Sequence, residues 1–347
     1  MTAVAQPQHD TGSQTTMMSF AQAVNRALDH ALAEDSRVIL LGEDIEDPAG
    51  GVFKVTAGLS SKYGRNRVRN TPIAEQAIVG AAIGAALGGL RPVAEIMVMD
   101  FITVAMDQPV NHAAKLRYMS GGRTGVPITV RTAVGGNRGT GAQHSTALEA
   151  WFMHTPGINV VAPSTPADAK GLMSSCLATE DPCLFLEPMA LMPARGPVPD
   201  EHYSIPLGRS DVKAPGSDVT IITYGWQVPE ALAAAETLDQ EGISAEVVDL
   251  RTLVPLDTAG ILESVSRTKR AAIVHAATEF AGPGAEIASI IHHELFGELA
   301  APVERIGAAL APVPFARNLE TALFPSRDRI ADRVRAMVDG RPATRNH

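Results

Sequence analysis

The sequence predicts a two-domain α/β protein in which helices cover parallel sheets. Short apolar, β-branched runs alternate with segments of helical periodicity along most of the chain, a pattern typical of parallel sheets with helices on both faces. The 347 residues also exceed what one hydrophobic core usually supports. A proline-rich interruption between Pro188 and Ser217 divides the alternation into two halves.

The first half opens with a polar tail over residues 1–16, followed by a predicted domain over residues 17–190. Apolar residues at helical spacing predict a helix over residues 18–34, with Ser19 as its N-cap. Similar patterns predict strands over residues 37–41, 67–69, 92–97, 126–131, 158–161 and 183–186, and helices over residues 74–90, 102–119, 147–154 and 166–178.

The second half begins after a predicted proline-rich linker over residues 191–216. A second α/β domain is expected over residues 217–340, followed by a short tail over residues 341–347. The same patterns predict its strands over residues 219–223, 245–250, 271–275 and 303–306, and its helices over residues 229–239, 258–267, 284–295 and 328–338.

Composition excludes several functional classes. A formal charge of -9, without a long Lys/Arg run, disfavours binding to nucleic acid. The sequence contains no charge-free stretch of about 20 apolar residues, so no membrane span is predicted. The N-terminus does not resemble a signal peptide, and a cytoplasmic protein is therefore expected. Cys176 and Cys183 are too few and wrongly spaced for a zinc cluster or a disulfide framework, which predicts buried free thiols.

The most informative motif is Asn-Thr-Pro-Ile-Ala-Glu-Gln-Ala over residues 70–77. It places the carboxylate of Glu75 where a predicted strand gives way to a helix of small residues. Judged from the residues, this is an acid in a first helical turn, which the helix dipole favours. Gly80, Gly84 and Gly88 share one face of the same helix, and this spacing permits either tight helix packing or a contact with another subunit.

A second motif is the glycine-rich loop over residues 135–145, which ends in His144-Ser145. Glycines let a backbone approach a ligand closely, and an imidazole can donate or accept a proton. Between the two motifs, the pairs 107–108 and 111–112 lie one helical turn apart and are expected to orient their helix through hydrogen bonds.

Taken in order, these motifs closely resemble the beta subunit of the thiamine-diphosphate-dependent 2-oxoacid dehydrogenases. The resemblance covers about residues 18–338 and implies a transketolase-like pyrimidine-binding domain followed by a transketolase C-terminal-like domain. The segments that carry it are residues 70–77, 78–90, 91–96, 100–101, 107–108 and, in the second half, 248–257.

The resemblance assigns roles to four residues. Glu75 would activate the coenzyme by hydrogen bonding to its pyrimidine N1′, which requires a dry site on a rigid element. Phe101 would pack on the aminopyrimidine ring, and Ile73 would also contact the cofactor. His144 would assist substrate binding and acyl transfer to lipoamide.

The resemblance also implies a structural potassium ion. Backbone carbonyls would hold it, and Thr179 stands where an acidic residue is common. The positions that match this ion site are Ile128, Cys176, Leu177, Thr179 and Asp181.

Partners follow from a missing motif. Subunits that anchor the diphosphate carry Gly-Asp-Gly for the magnesium ion, and this sequence contains none. The resemblance therefore implies an alpha subunit in a two-plus-two heterotetramer, together with a lipoyl acyltransferase core docked near residues 275–280. The implied activity is oxidative decarboxylation of a small-molecule 2-oxoacid, either pyruvate or a branched-chain acid, with acyl transfer to lipoamide.

Three positions depart from the family pattern. Thr146 replaces a pocket amide with a hydroxyl, Pro109 stands where an aliphatic residue is typical, and Ala276 occupies a position where an acid is common. These departures leave the substrate and the partner open. An acetoin dehydrogenase beta subunit and a non-catalytic assembly subunit are the alternatives, and the retained Glu75 argues against the second.

Overall fold

The computed structural model describes residues 14–136 and 139–341. In the first half, helices and strands alternate as expected. The strands are β1 (Thr15–Ser19), β2 (Val38–Gly42), β3 (Val68–Asn70), β4 (Arg91–Val98), β5 (Thr129–Val134), β6 (Asn159–Val161) and β7 (Cys183–Pro188). The helices are α1 (Phe20–Glu34), α2 (Leu59–Tyr63), α3 (Glu75–Leu87), α4 (Ala114–Met119), α5 (Glu149–Met153) and α6 (Pro166–Ala178).

The remaining elements form the second half. The strands are β8 (Arg195–Pro199), β9 (Asp211–Ala214), β10 (Val219–Thr223), β11 (Ala245–Asp249), β12 (Thr252–Val254), β13 (Ala271–Thr278) and β14 (Glu304–Ala308). The helices are α7 (Gln227–Asp239), α8 (Thr258–Thr268), α9 (Pro283–Leu295), α10 (Arg317–Leu323) and α11 (Arg327–Val338).

Two mostly parallel sheets organise the molecule, in agreement with the predicted α/β class. The first has the strand order β12-β6-β7-β5-β4-β2-β3, and the second has the order β14-β13-β10-β11-β9. Side chains alternate across each strand. Leu184 therefore joins the core on one face of the first sheet, while Phe185 joins the core on the other.

Local sequence explains where several helices begin. Ser19 and Gln22 form a reciprocal capping box at the start of α1, as the N-cap prediction requires. At α6, the Thr165 side chain accepts a hydrogen bond from the backbone N–H of Asp168, and Pro166 occupies the first turn. Cys176 and Cys183 are buried free thiols, which confirms that prediction.

The prediction of one continuous α-helix over residues 102–119 is wrong. Met99–Ala105 is a 3-10 helix, Gln108–Ala113 is a π-helix, and only α4 is regular. Pro109 lies in the first turn of the π-helix, where its missing N–H leaves one fewer helical hydrogen bond. The Asp107 carboxylate accepts a hydrogen bond from the Asn111 side chain at 2.8 Å and lies 3.2 Å from Nε2 of His112. These contacts agree with the orienting role expected for these residues.

The segment expected as a linker contains two strands. β8 pairs with β1, and β9 forms the antiparallel edge of the second sheet. Within this segment, the Tyr203 hydroxyl donates to the Ala167 carbonyl at 2.7 Å, so the chain here is bound to the first domain. The boundaries at residues 191 and 216 stay predictions.

One strand connects the two halves. β12 follows β11 of the second sheet, yet it pairs antiparallel with β6 at the edge of the first sheet. No helix within residues 14–136 and 139–341 is long and apolar enough to cross a membrane.

Candidate active site

Glu75 is the first residue of α3. Its side chain is 8% exposed, and the preceding residue, Ala74, provides no side-chain cap. Among the residues that the structure describes, none donates a hydrogen bond to the Glu75 carboxylate. The carboxylate oxygens keep some solvent access, so a group from outside the described residues can reach them. Glu75 is therefore an acceptor suited to a donor from outside the described chain, beside the favourable dipole of α3.

Glu43 is a second acid at this site, and the sequence analysis did not identify it. It directly follows β2, whose neighbour β3 leads towards Glu75. Burial, followed by the negative charges of Glu75, Asp44 and Glu95, raises the pKa of Glu43. Its position directly after a predicted strand could have indicated it, because acids that follow adjacent parallel strands meet at one edge of the sheet.

Glu95 belongs to a buried ion network beneath this acid cluster. The Arg131 guanidinium, 2% exposed, donates to Glu187 at 2.7 and 2.8 Å and also pairs with Glu95. A buried arginine between two acids compensates charges that would otherwise be costly to bury. Arg131 thus allows several carboxylates to lie near the carboxyl ends of β4, β5 and β7.

Phe101 and His144 are in direct contact. Their ring centroids lie 5.2 Å apart at an interplanar angle of 81°, an edge-to-face arrangement. Phe101 is half-buried on the 3-10 helix that packs against α3, whereas His144 is exposed. The Thr140 hydroxyl donates to the His144 carbonyl at 3.1 Å and also bonds to the Ser145 hydroxyl. The structure therefore brings together the predicted ring-packing residue and the predicted acyl-transfer residue.

Thr146, one of the departures from the family pattern, has a clear contact. Its hydroxyl and its backbone N–H both donate to the Asp100 carboxylate, the latter at 3.2 Å. Asp100 directly precedes Phe101, so this pair ties the loop that carries His144 to the 3-10 helix that carries Phe101.

Ile73 stands apart from these contacts. Its side chain is 83% exposed, two residues before Glu75. A single exposed apolar side chain is common on protein surfaces and does not by itself mark a site. Its predicted contact with the cofactor stays a prediction.

The residues implied for potassium already have other partners. Arg91 Nη1 donates to the carbonyls of Leu177 at 3.2 Å and Thr179 at 3.0 Å, while the backbone N–H of Cys183 donates to Ile128. A guanidinium beside these oxygens supplies the positive charge that a potassium ion would bring. Three of the five implied carbonyls thus accept hydrogen bonds from the protein itself, and the potassium site stays a prediction.

The first half of the candidate dock over residues 275–280 is interior. His275 and Ala276 are buried in β13, and Phe280, just beyond that strand, is 71% exposed. Ala276 faces a cavity between the two domains, so an acid at this position would lie inside the protein. Only the far end of this segment can contact another protein directly.

Comparisons with known proteins agree with this architecture. The family model for the pyrimidine binding domain of transketolase matches residues 16–194, and the model for the transketolase C-terminal domain matches residues 208–330. A solved split-gene transketolase, an inactive beta4 tetramer, superposes with a TM-score of 0.76 at 22% identity over 93% of this chain and 98% of its own. The fold and the site thus define a transketolase-like two-domain protein.

Three curated relatives narrow this class. The beta subunit of acetoin:2,6-dichlorophenolindophenol oxidoreductase from Cupriavidus necator is 44% identical and covers 93% of this chain and 98% of its own. From Bacillus subtilis, the 2-oxoisovalerate dehydrogenase subunit beta is 42% identical and the pyruvate dehydrogenase E1 component subunit beta is 43% identical, each covering 93% of this chain and 99% of its own. The chain belongs to this transketolase-like, thiamine-diphosphate-dependent family of dehydrogenase beta subunits, which confirms both the resemblance and the fold class.

Proposed function

We propose that this chain is the beta subunit of the decarboxylating component of a 2-oxoacid dehydrogenase complex. Its reaction would be oxidative decarboxylation of pyruvate or a branched-chain 2-oxoacid in the cytoplasm, with acyl transfer to lipoamide. The observation that carries this proposal is Glu75, a largely buried carboxylate at the start of a helix without a donor among the described residues. Relatives named as pyruvate and 2-oxoisovalerate dehydrogenase subunits support the reaction class.

The unpaired carboxylate fits thiamine diphosphate. When bound, this coenzyme supplies a carbanion that adds to the carbonyl carbon of a 2-oxoacid and accepts the electrons released on decarboxylation. Glu75 would accept a hydrogen bond from the pyrimidine N1′, and Phe101 and Ile73 would offer apolar contacts to the ring. His144, exposed beside Phe101, is free to hold or release a proton at a substrate oxygen.

A second polypeptide is needed to complete this site. The sequence lacks the Gly-Asp-Gly motif for magnesium and diphosphate, so an alpha subunit would supply that grip. One face of α3 supports such an interface, since a side chain added at Gly84 would meet open space instead of a packed neighbour. The assembly would be a two-plus-two heterotetramer, docked on a lipoyl acyltransferase core.

An acetoin dehydrogenase beta subunit is the second candidate. The relative that is 44% identical is named for acetoin, and Thr146 replaces the amide expected in the pocket. A non-catalytic assembly subunit has less support, because it would have no use for a buried and unpaired Glu75.

The test is co-expression with the alpha-subunit candidate encoded nearest to this chain. Pyruvate, branched-chain 2-oxoacids and acetoin would be assayed with thiamine diphosphate, magnesium and an artificial electron acceptor. Turnover of a 2-oxoacid by the pair, with neither chain active by itself, is the expected result.

Each other result has a defined meaning. Turnover of acetoin without turnover of any 2-oxoacid would establish the second candidate. A stable complex that binds the coenzyme and turns over nothing on the panel would contradict both enzymatic proposals and favour the assembly subunit.

A further inference from the structure

Glu149 and Tyr224 form a hydrogen bond between the two domains. Glu149 is the first residue of α5, five positions after His144, and Tyr224 directly follows β10 of the second domain. The Tyr224 hydroxyl donates to Glu149 Oε1 at 2.8 Å, and the two side chains are 2% and 5% exposed, for Glu149 and Tyr224 respectively. This contact joins the base of the His144 loop to the second sheet.

No positive charge from residues 14–136 or 139–341 compensates this acid. Glu149 Oε2 has no hydrogen-bond partner within the described parts of the chain, and no Lys or Arg pairs with the carboxyl group. The adjacent cavity, about 20 Å³, is too small for a hydrated ion. Apart from Glu149 and Tyr224, the cavity is lined by side chains that do not titrate.

His275, which packs against Tyr224, does not supply a charge either. His275 lies on the ring face of Tyr224, with centroids 6.5 Å apart, and its Nδ1 donates to the Ala277 carbonyl at 2.9 Å. Burial lowers the pKa of His275 to about 4, so this imidazole is neutral at physiological pH.

We propose that Glu149 is a neutral carboxylic acid at neutral pH and that, through Tyr224, it positions the loop carrying His144 against the second domain. A buried carboxyl group without a cation takes up a proton instead of remaining charged. The inference depends on the packing between the domains and is independent of the reaction proposed above.

Proton uptake makes stability depend on pH in a defined direction. Burial raises the pKa of Glu149 above its unfolded value of about 4.3, so the native protein binds one more proton than the unfolded chain between those two values. The contribution of this acid to stability is complete below the unfolded pKa. It is lost as pH rises through the folded pKa.

The matched variant is Glu149→Gln, which keeps the shape and neutrality but cannot ionise. Thermal unfolding of the full chain at each pH from 5 to 9 should show a wild-type stability that falls relative to this variant. The difference corresponds to as much as a tenfold change in the unfolding constant for each pH unit. Parallel pH profiles for the two proteins would overturn the neutral-acid assignment.

Two further variants test positioning. Tyr224→Phe removes the hydrogen bond and keeps the acid, so amide hydrogen exchange over residues 139–147 should accelerate while the pH dependence of stability persists. Glu149→Ala should accelerate the same exchange, and Glu149→Gln should restore the wild-type rate. If loop exchange is unchanged in Tyr224→Phe, Glu149 does not position this loop.

Discussion

Two glutamates, each the first residue of a helix, show how different surroundings give one local feature different chemistry. Glu75 begins α3 and Glu149 begins α5. Glu75 lies at an edge of the first domain beside other acids and has no donor among the described residues, whereas Glu149 lies between the domains with a donor from Tyr224. The first would meet an external group under the proposed function, whereas the second is buried between the domains. An acid in a first helical turn therefore indicates a possible site, while its tertiary partners decide its role.

The largest expected effect is a loss of enzymatic turnover when Glu75 is changed. Glu75→Gln should lower turnover of the assembled complex at least about 100-fold, because the amide cannot serve as the carboxylate acceptor that activates the coenzyme. Its unfolding midpoint should stay near the wild-type value, since no described side chain depends on this carboxylate. Steady-state assays and thermal unfolding on the same preparation measure both.

The control for this variant is Gln76→Ala, an exposed position in the same helical turn. It should leave both turnover and midpoint unchanged. Near wild-type turnover in Glu75→Gln would make the coenzyme role untenable and would remove the functional contrast with Glu149.

A smaller effect on activity is expected from a change at His144, which lies beside Phe101 in the candidate active site. His144→Ala should reduce acyl transfer to lipoamide roughly 10- to 100-fold, the size expected for losing a hydrogen bond to a charged or reacting group. Decarboxylation followed with an artificial acceptor should fall less, because Glu75 and Phe101 remain. Equal losses in the two assays would show that His144 has no specific part in transfer.

The next effect concerns the tie between the two site segments. Thr146→Val keeps the side-chain shape but removes the hydroxyl donor to Asp100, which should cost about 1 kcal/mol of unfolding free energy. Urea unfolding measures the change. The comparison variant is Thr103→Val, because the Thr103 hydroxyl donates to the Asp100 backbone carbonyl at 2.7 Å. If this variant is destabilised equally, the hydrogen bond from Thr146 to the Asp100 carboxylate makes no larger contribution to stability.

The smallest effect concerns the carbonyls implied for potassium. Like the Glu149 carboxyl group, and unlike Glu75, they already have hydrogen-bond donors within the protein. Replacing potassium by tetramethylammonium should shift the wild-type unfolding midpoint by less than about 2 °C, because Arg91 already donates to Leu177 and Thr179. Arg91→Gln should increase the dependence on potassium. A strong, potassium-specific stabilisation of the wild type would show instead that potassium binds these carbonyls.

The sequence was sufficient for features that depend on local chemistry. The predicted helix over residues 166–178 matches α6 because proline in its first turn and the Thr165 cap mark its start. The position of Glu75 at the start of a helix followed equally from small residues after a strand. Both depend on neighbours a few positions away.

Long-range contacts could not be predicted in the same way. The partner of Glu149 is 75 positions away, and no periodicity reports that Tyr224 meets it. β12 was missed because three residues carry little pattern, and its partner β6 belongs to the other domain. The π-helix around Pro109 was not predicted, because its geometry depends on the packing of the surrounding segments.

The pairing of β12 with β6 limits how this chain can be divided or recombined. A fragment that ends before residue 252 would leave β6 as an unpaired edge strand, and such edges recruit strands from other molecules. A hybrid that exchanges its second half with that of a relative would therefore import a foreign strand into the sheet of the first half. Compatibility of this strand, Thr252–Val254, with β6 would then be one condition for such a hybrid to fold.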